Sequence, residues 1–339
     1  MEILKEIGMD WRDRRLIKNL YMKQTAVVRI DSECSEPCVI GCGVRQGCCM
    51  SPLLFSLYAE KMMIEAMEGL EAGVKVGGEL VEDVRFANDQ GMVASTAKGL
   101  QTLMDRLVEV AHRKDYNMRV NVKKTKVMRV SRKGGKCLNI IVEGQKVEQV
   151  TKFKYLGSWI TDDGRSELEV KTRIAMAKEA FNKRKELLSR KMSKTVKKKI
   201  IKTVVWSVAL YASETWTLRK EEVSHIDVLE MWLWRRMERI SWTEKKTNED
   251  VLRLVGEERT MVETIIRRKK NWIGHILRHD SLFRDIMEGK LKGRRARGRP
   301  RIGMLNELKE GSFATMKRRA EDRENWKSWK PGTCLRTEH

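Results

Sequence analysis

The apolar residues of this chain change their spacing once, near residue 164. Before that point, short runs of β-prone residues alternate with helical patterns. Beyond it, apolar residues recur three or four positions apart over residues 168–242 and again over 251–277, as in helices that share a core. The sequence therefore predicts an α+β domain built on an antiparallel sheet, followed by an all-α helical region.

The start of the chain has clear helix signals. Residues 1–22 carry apolar side chains at helical spacing, Gly8 interrupts the run, and Asp10 is placed to cap its continuation. Ser51 followed by Pro52 predicts a second helix start, with the serine as N-cap and the proline in the first turn.

Strand signals follow the second helix. Residues 81–95 predict a hairpin with Asn88 and Asp89 at its tip, and residues 100–111 predict an amphipathic helix. Further strands are expected over 126–130, 138–142 and 147–150, and a last β-rich stretch, FKYLGSWI, ends at the turn 162–164. We expect Tyr155 and Leu156 of this stretch to be buried.

The predicted domain boundaries follow these changes in pattern and composition. The α+β domain covers 1–164 and the helical region 165–288, with a basic Gly/Arg connector at 289–303 and a C-terminal helix and tail at 304–339. Eight of the ten tryptophans lie beyond residue 164, where most fall on apolar stripes, so we expect core packing rather than base stacking for most of them.

The chain is strongly basic, and the charge is uneven. Lys and Arg number 70 against 47 Asp and Glu, for a net charge of +23. Residues 1–160 carry 26 basic and 20 acidic side chains, whereas residues 161–339 carry 44 and 27. Such a field attracts phosphate backbones or anionic lipid. Nucleic acid, RNA or DNA, is the leading partner, and the C-terminal part is expected to face it.

Compartment signals are few. The N-terminus has no uninterrupted apolar segment of a secretory signal, and the longest nearly apolar run, 203–212, is about half of a bilayer span. The seven cysteines are odd in number and form no CxxC pair, which fits reduced thiols. We expect a protein of the nucleus or cytoplasm, neither secreted nor in a membrane; its oligomeric state is not determined by the sequence.

Four ordered motifs carry the strongest functional signal: GVRQGCCMSPLLFSLYAE, VRFANDQGMV, MRVNVKKTKVM and FKYLGSWITDDG. In this order and spacing they resemble the B, C, D and E segments of the palm in reverse transcriptases of non-LTR, LINE-type retrotransposons. Weaker similarity continues to GHILRHD and GRRARGRPR. The resemblance implies an RNA-directed DNA polymerase palm followed by a thumb-like helical region.

The resemblance also implies a metal site. Enzymes of this family hold two Mg²⁺ ions with palm carboxylates, one from a strand that precedes the present sequence and a consecutive Asp pair on the hairpin tip. Here the tip reads FAND, so Asn88 replaces the first aspartate and Asp89 alone remains as a metal ligand. An asparagine brings no negative charge, and clustered carboxylates are needed to hold two dications. We therefore expect an N-terminally truncated, catalytically impaired polymerase.

Other positions match the family one at a time. Gly43, Arg45, Gln46 and Gly47 match the segment beside the incoming nucleotide and template; they are equally compatible with a loop that enters a helix. Lys124, in the pattern NxxKT, matches a lysine that protonates or neutralises pyrophosphate, although a lysine in such a cluster is often a solvated surface residue.

The basic connector contains arginines around a Gly-Arg-Pro core, the form of an AT-hook that enters an A·T minor groove. A nuclear-import signal and non-specific phosphate contacts are the alternatives. The candidate nucleic-acid-binding residues of this tract are Arg294, Arg295, Arg297, Arg299 and Arg301.

His275 and His279, at i and i+4, could chelate a metal, but without a nearby cysteine pair we favour helix packing or capping.

Two functions remain: a retrotransposon polymerase fragment, and a non-catalytic nucleic-acid-binding protein derived from a mobile element.

Overall fold

The computed structural model describes residues 1–41, 43–87, 89–113, 116–131, 137–184, 186, 192–291, 303–308 and 311–330. It forms two compact units. The first comprises residues 1–127 and 138–148, and the second comprises residues 128–137 and 149–339.

The described helices and strands are short to medium in length. The α-helices are α1 (Glu2–Glu6), α2 (Trp11–Tyr21), α3 (Ser51–Met67), α4 (Ala97–His112), α5 (Glu167–Lys183), α6 (Lys194–Ile200), α7 (Trp206–Ala209), α8 (Lys220–Glu238), α9 (Asn248–Val255), α10 (Met261–Arg278), α11 (Leu282–Met287), α12 (Phe313–Glu321) and α13 (Arg323–Ser328). The strands are β1 (Gln24–Ala26), β2 (Arg29–Ile30), β3 (Glu33–Cys34), β4 (Cys38–Ile40), β5 (Val74–Val76), β6 (Glu79–Val81), β7 (Asp83–Phe86), β8 (Asp89–Met92), β9 (Lys126–Val127), β10 (Ile141–Val142), β11 (Gln145–Lys146), β12 (Glu148–Gln149), β13 (Lys152–Tyr155) and β14 (Ser158–Thr161). Single helical turns lie at Ile201–Val205 (π), Ser213–Thr215, Trp242–Glu244 and Asn306–Leu308.

The first unit is a mixed α and β structure, as the sequence predicts. Helices α3 and α4 pack on each other, and their apolar faces meet in a small core. That core contains Met62, Met63, Ala66, Leu107, Val110, Ala111 and Tyr116. A second cluster packs the other side of α4 against short strands and contains Met104, Val127, Ile140, Val142 and Val147. Its sheets are antiparallel pairs of two strands each.

The predicted helix start at residue 51 is confirmed, but the predicted capping role of Ser51 is wrong. Ser51 is the first helical residue of α3, and Met50 is the N-cap, without a side-chain cap hydrogen bond. The Ser51 hydroxyl instead lies 3.0 Å from the Tyr21 hydroxyl. Asp10 does cap α2 as predicted, because its carboxylate accepts a hydrogen bond from the Arg12 backbone N–H at 2.9 Å.

The second unit begins with a hairpin and continues as helices. Strands β13 and β14 pair antiparallel, with Tyr155 opposite Ser158. The two-residue turn between them places Leu156 at φ +48° and Gly157 at φ +82°, the two positive φ values of a type I′ turn. The expected burial of this turn is wrong: Leu156 is 38 % exposed and Tyr155 is half-buried, because a tight turn projects its side chains away from the sheet.

A large core holds the helices of the second unit together. Four of its tryptophans are less than 7 % exposed, which confirms core packing for Trp206, Trp216, Trp234 and Trp326. The last of these lies against the backbone of α10 at Gly274, where a Cβ would come 2.1 Å from the indole nitrogen. Only glycine permits this approach. In the described residues, no helix is both long and apolar enough to span a bilayer.

Candidate functional site

The candidate site of the first unit is the hairpin of β7 and β8. Phe86 pairs with Asp89, and Asp83 pairs with Met92 at the other end of the hairpin. Ala87 occupies the turn at φ +51°, while Asn88 lies outside the described residues. The predicted hairpin is thus confirmed, and Asp89 is the first residue of its second strand.

Alternation along the hairpin decides which way Asp89 faces. Successive side chains of a strand point to opposite faces, and directly paired residues share one. Asp89 therefore shares a face with Phe86 and Val84, which are 62 % and 50 % exposed. Asp89 is itself exposed. Its carboxylate is thus on the solvent face of the hairpin.

The other face carries a partly buried charge cluster. Asp83 lies 2.8 Å from Arg85, which also lies 2.7 Å from Glu60 of α3. Burial raises the pKa of Asp83, an effect that the positive charge of Arg85 opposes and the negative charge of Glu60 reinforces. Arg85 therefore links the hairpin to α3, and Asp83 pairs with Arg85 within the same strand.

The carboxylates of this hairpin do not fit a site for two magnesium ions. Three residue steps separate Asp83 from the strand position opposite Asp89, about 10 Å at ~3.4 Å per residue. The two side chains also point to opposite faces, whereas paired metal ions lie ~3.5–4 Å apart and need shared carboxylates. In the part of the chain that the structure describes, no three His, Cys, Asp or Glu side chains are grouped to hold a metal ion.

Lys124 is presented by a turn that Asn121 builds. The Asn121 side-chain oxygen accepts a hydrogen bond from the Lys124 backbone N–H at 3.1 Å. The Asn121 backbone carbonyl accepts two more from Thr125, one from its backbone N–H at 2.9 Å and one from its hydroxyl at 2.9 Å. These bonds close an Asx turn, which leaves the Lys124 side chain exposed. The geometry suits an ammonium group free to reach an anion, or a solvated surface lysine.

The segment from Gly43 to Gly47 is an exposed loop before α3. Gly43 and Gly47 have φ +95° and +84°, in the region that favours glycine, and nothing lies within 4 Å of a Cβ at either position. Glycine is therefore favoured at both positions by the backbone conformation and not by a lack of space for a side chain. The side chains of Arg45 and Gln46 are exposed. Within the described residues, no hydrogen bond or ion pair links this loop with Asp89 or Lys124.

The sequence analysis missed a polar cluster at the start of α3. The Tyr21 hydroxyl donates to the Cys48 sulfur at 3.6 Å and lies 3.0 Å from the Ser51 hydroxyl. Hydrogen bonds from the Met50 backbone and Tyr21 lower the pKa of Cys48 to about 7, and burial opposes this shift. The signal for this cluster in the sequence was Cys48, a cysteine three residues before the helix start at Ser51.

Several predicted site residues cannot be placed. Asn88 and the tract arginines Arg294, Arg295, Arg297, Arg299 and Arg301 lie outside the described residues. His275 and His279 are placed: both are exposed, and their rings contact each other in a tilted arrangement, with centroids 4.5 Å apart and an angle of 51° between the ring planes.

Comparison with known proteins agrees with the motif order. Residues 2–160 match the family described as reverse transcriptase (RNA-dependent DNA polymerase). A putative uncharacterized transposon-derived protein of Caenorhabditis elegans is 23 % identical over 60 % of this chain and 75 % of its own length.

Two relatives from Drosophila melanogaster are longer proteins. The RNA-directed DNA polymerase from mobile element jockey is 24 % identical over 67 % of this chain but 25 % of its own length. The Pol polyprotein from the type-2 retrotransposable element R2DM is 28 % identical over 42 % of this chain and 12 % of its own length. The match thus spans a quarter or less of either fly protein. Residues 2–160 belong to the reverse transcriptase family, of the retrotransposon type that the motif order predicts.

Proposed function

We propose that this chain binds nucleic acid as part of a retrotransposon reverse transcriptase and does not itself incorporate nucleotides. The hairpin with the FAND sequence is the observation that supports the absence of nucleotide incorporation. Asp89 is the one carboxylate of its tip, it lies on the solvent face, and Asp83 of the same hairpin points the other way and is held by Arg85.

The excess of positive charge supports the proposed binding of nucleic acid. Residues 161–339 carry 44 basic and 27 acidic side chains, enough to neutralise several phosphates at once. RNA and DNA are the substrates of the family to which residues 2–160 belong. In this proposal residues 1–164 correspond to the palm, the helices of residues 165–288 to a thumb-like region, and the protein acts inside the cell.

Lys124 and the loop from Gly43 to Gly47 have separate roles in this proposal. The exposed Lys124 ammonium would neutralise a phosphate, and the two left-handed glycines would let a nucleic-acid strand approach the backbone closely. Neither role requires a metal ion, so both are compatible with binding without polymerisation.

Fluorescence anisotropy with a labelled RNA–DNA duplex tests the binding half. Log affinity should fall linearly with log salt concentration, because each neutralised phosphate releases counterions. A flat salt dependence, or no binding at low salt, contradicts the proposal.

Primer extension by the same preparation, in magnesium and in manganese, tests the catalytic half. No incorporation above a no-enzyme control is expected. Binding without extension supports the proposal and is shared by the alternative, a non-catalytic nucleic-acid-binding protein derived from a mobile element. A chain that binds and extends primers is an active polymerase and contradicts the catalytic half.

A further inference from the structure

Helices α5 and α8 of the second unit lie side by side and run in the same direction. At their starts, the guanidinium of Arg219, the N-cap of α8, lies 3.0 Å from the carboxylate of Glu167, the first residue of α5. Further along both helices, the rings of Phe181 and Trp232 meet edge to face with centroids 5.3 Å apart. These two contacts are separated by 14 residues on α5 and 13 residues on α8. The C-terminal ends of the two helices therefore lie together.

This shared end carries an excess of positive charge. Residues 178–184 and 235–246, which cover the last turns of the two helices and the turn after α8, contain eight Lys and Arg against three Glu. Each of these glutamates already has a lysine within 3.6 Å, and the pairs are Glu179 with Lys183, Glu238 with Lys194 of α6 and Glu244 with Lys246. A helix C-terminus contributes only about −0.5 of a charge. Two such termini therefore leave this end strongly positive.

Trp232 brings two of these cations together. The Lys178 ammonium lies 5.6 Å from the centre of its ring, and the Arg236 guanidinium carbon lies 5.4 Å from it. At such distances a cation is attracted to the face of an indole. Within the part of the chain that the structure describes, neither cationic side chain has a hydrogen bond or an ion pair. Like charges held on one ring repel each other, so an anion between or beside them would be stabilised by both.

The position of Trp232 makes this pair of cations accessible and ordered. The indole packs against the large core of the second unit and is half-buried, as is Lys178, whereas Arg236 is exposed. An anion can therefore approach from solvent without breaking an ion pair. Because the ring already restrains both long side chains, less conformational entropy is lost when they bind.

We propose that the second unit binds the phosphate backbone of nucleic acid at this end of α5 and α8, through Lys178 and Arg236. This inference rests on the proposed function and assigns it a surface. An Arg guanidinium can donate to two oxygens of one phosphate, and a Lys ammonium acts as a point charge. Since both cations lie on one ring, they are at most about 11 Å apart, which spans about three successive phosphates at ~3.4 Å of helix axis each.

Lipid headgroups offer the same phosphate chemistry as a nucleic-acid backbone. The match of residues 2–160 to the reverse transcriptase family, whose substrates are RNA and DNA, favours nucleic acid as the partner. Binding to an anionic membrane is therefore an outcome that the experiment must distinguish.

Salt titrations with the full chain and a labelled RNA–DNA duplex test the proposal. Lys178→Gln with Arg236→Gln removes two phosphate contacts, so the slope of log affinity against log salt concentration should become less negative by about 1.8. The control, Lys171→Gln with Arg106→Gln, removes the same two charges from exposed ion pairs with Glu167 and Glu109 and should keep the wild-type slope. Lys178→Arg with Arg236→Lys retains both charges and should also keep it.

The outcomes separate this inference from the proposed function, once melting curves show that every variant is folded. Salt-dependent binding with the same slope in the Lys178 and Arg236 glutamine variant as in the control overturns the inference alone. No salt-dependent binding by the unmodified chain contradicts the proposed function and the inference with it. Vesicles containing phosphatidylserine form the second arm: a glutamine variant that loses vesicle binding but keeps duplex binding identifies a membrane surface and overturns the inference.

Discussion

Lys269 and Glu307 form an ion pair that is closed to solvent. The Lys269 ammonium lies 2.5 Å from a Glu307 carboxylate oxygen, and their side chains are 0 % and 1 % exposed. Lys269 also donates to the Trp216 carbonyl, and Glu307 accepts the Leu218 backbone N–H at 2.9 Å. Burial lowers the pKa of Lys269, while Glu307 opposes the shift. The pair thus joins α10, the loop before α8 and the turn Asn306–Leu308.

Breaking this pair should strongly destabilise the second unit. Lys269→Met leaves a buried carboxylate without its counter-ion, which costs about 3–5 kcal/mol. Urea unfolding should show this loss, with much of it recovered in Lys269→Met combined with Glu307→Leu. Lys171→Met removes the exposed pair with Glu167 and should change stability little. Equal effects of the two lysine variants would contradict the buried role of Lys269.

Cys48 should be the thiol whose alkylation changes most between pH 6 and pH 8. Its pKa is lowered to about 7, so a substantial thiolate fraction exists at neutral pH. Iodoacetamide labelling followed by peptide mass spectrometry would give the pH profile. Tyr21→Phe removes one stabilising hydrogen bond and should move the midpoint to higher pH. An unchanged midpoint in this variant would show that Tyr21 does not act on the thiolate.

Glu288 should stabilise the second unit at neutral pH and lose this effect in acid. Lys317 at 2.6 Å and Arg284 at 3.1 Å, with Lys290 at 3.3 Å, lower its pKa to about 2. A carboxyl group whose pKa is lowered in the folded state stabilises the fold at pH values above its ordinary pKa. This contribution is lost as the pH falls toward the pKa of the folded state. Glu288→Gln should therefore melt below wild type at pH 7, with the difference shrinking between pH 4.5 and pH 2.

Local patterns predicted most of the architecture. The helices of residues 1–22, the helix from residue 51 and the hairpin around residue 88 follow from periodicity, Gly8, Asp10 and Pro52. The partners of single side chains did not follow, because they depend on distant parts of the chain. Ser51 could be recognised as a helix-start residue, but its contact with Tyr21 spans 30 positions.

The sequence predicted the motifs of the candidate site but not the directions in which its carboxylates point. The motif order indicated the reverse transcriptase family, and the FAND tip indicated a reduced ligand set. That Asp83 faces away from Asp89 follows from the hairpin register, which the sequence alone does not fix.

The basic tract should favour A·T-rich duplexes if it enters the minor groove. Arg297→Ala with Arg299→Ala would then weaken binding to A·T-rich duplexes more than to G·C-rich ones. The exposed arginines Arg318 and Arg323, replaced together, provide a control with the same loss of charge. Anisotropy titrations at one salt concentration would compare them. Equal losses on both duplexes would identify phosphate contacts and exclude groove recognition.

Restoring the missing aspartate should not by itself restore polymerisation. Asn88→Asp would give the hairpin tip two adjacent carboxylates, a charge of −2 against the +4 of two dications. The next carboxylate of the hairpin, Asp83, lies about three strand residues away on the opposite face and is held by Arg85. Neither the unmodified chain nor Asn88→Asp should therefore extend a primer on an RNA template in magnesium or manganese.

Two controls make this result decisive. Binding of the same primer–template by anisotropy shows that the absence of product is not an absence of contact, and an active polymerase in the same buffer shows that the assay works. Asp89→Ala removes the remaining tip carboxylate and should bind as the unmodified chain does, because Asp89 is exposed and faces solvent. If the unmodified chain incorporates nucleotides and Asp89→Ala does not, Asp89 holds a working metal site and the impaired-polymerase proposal is wrong.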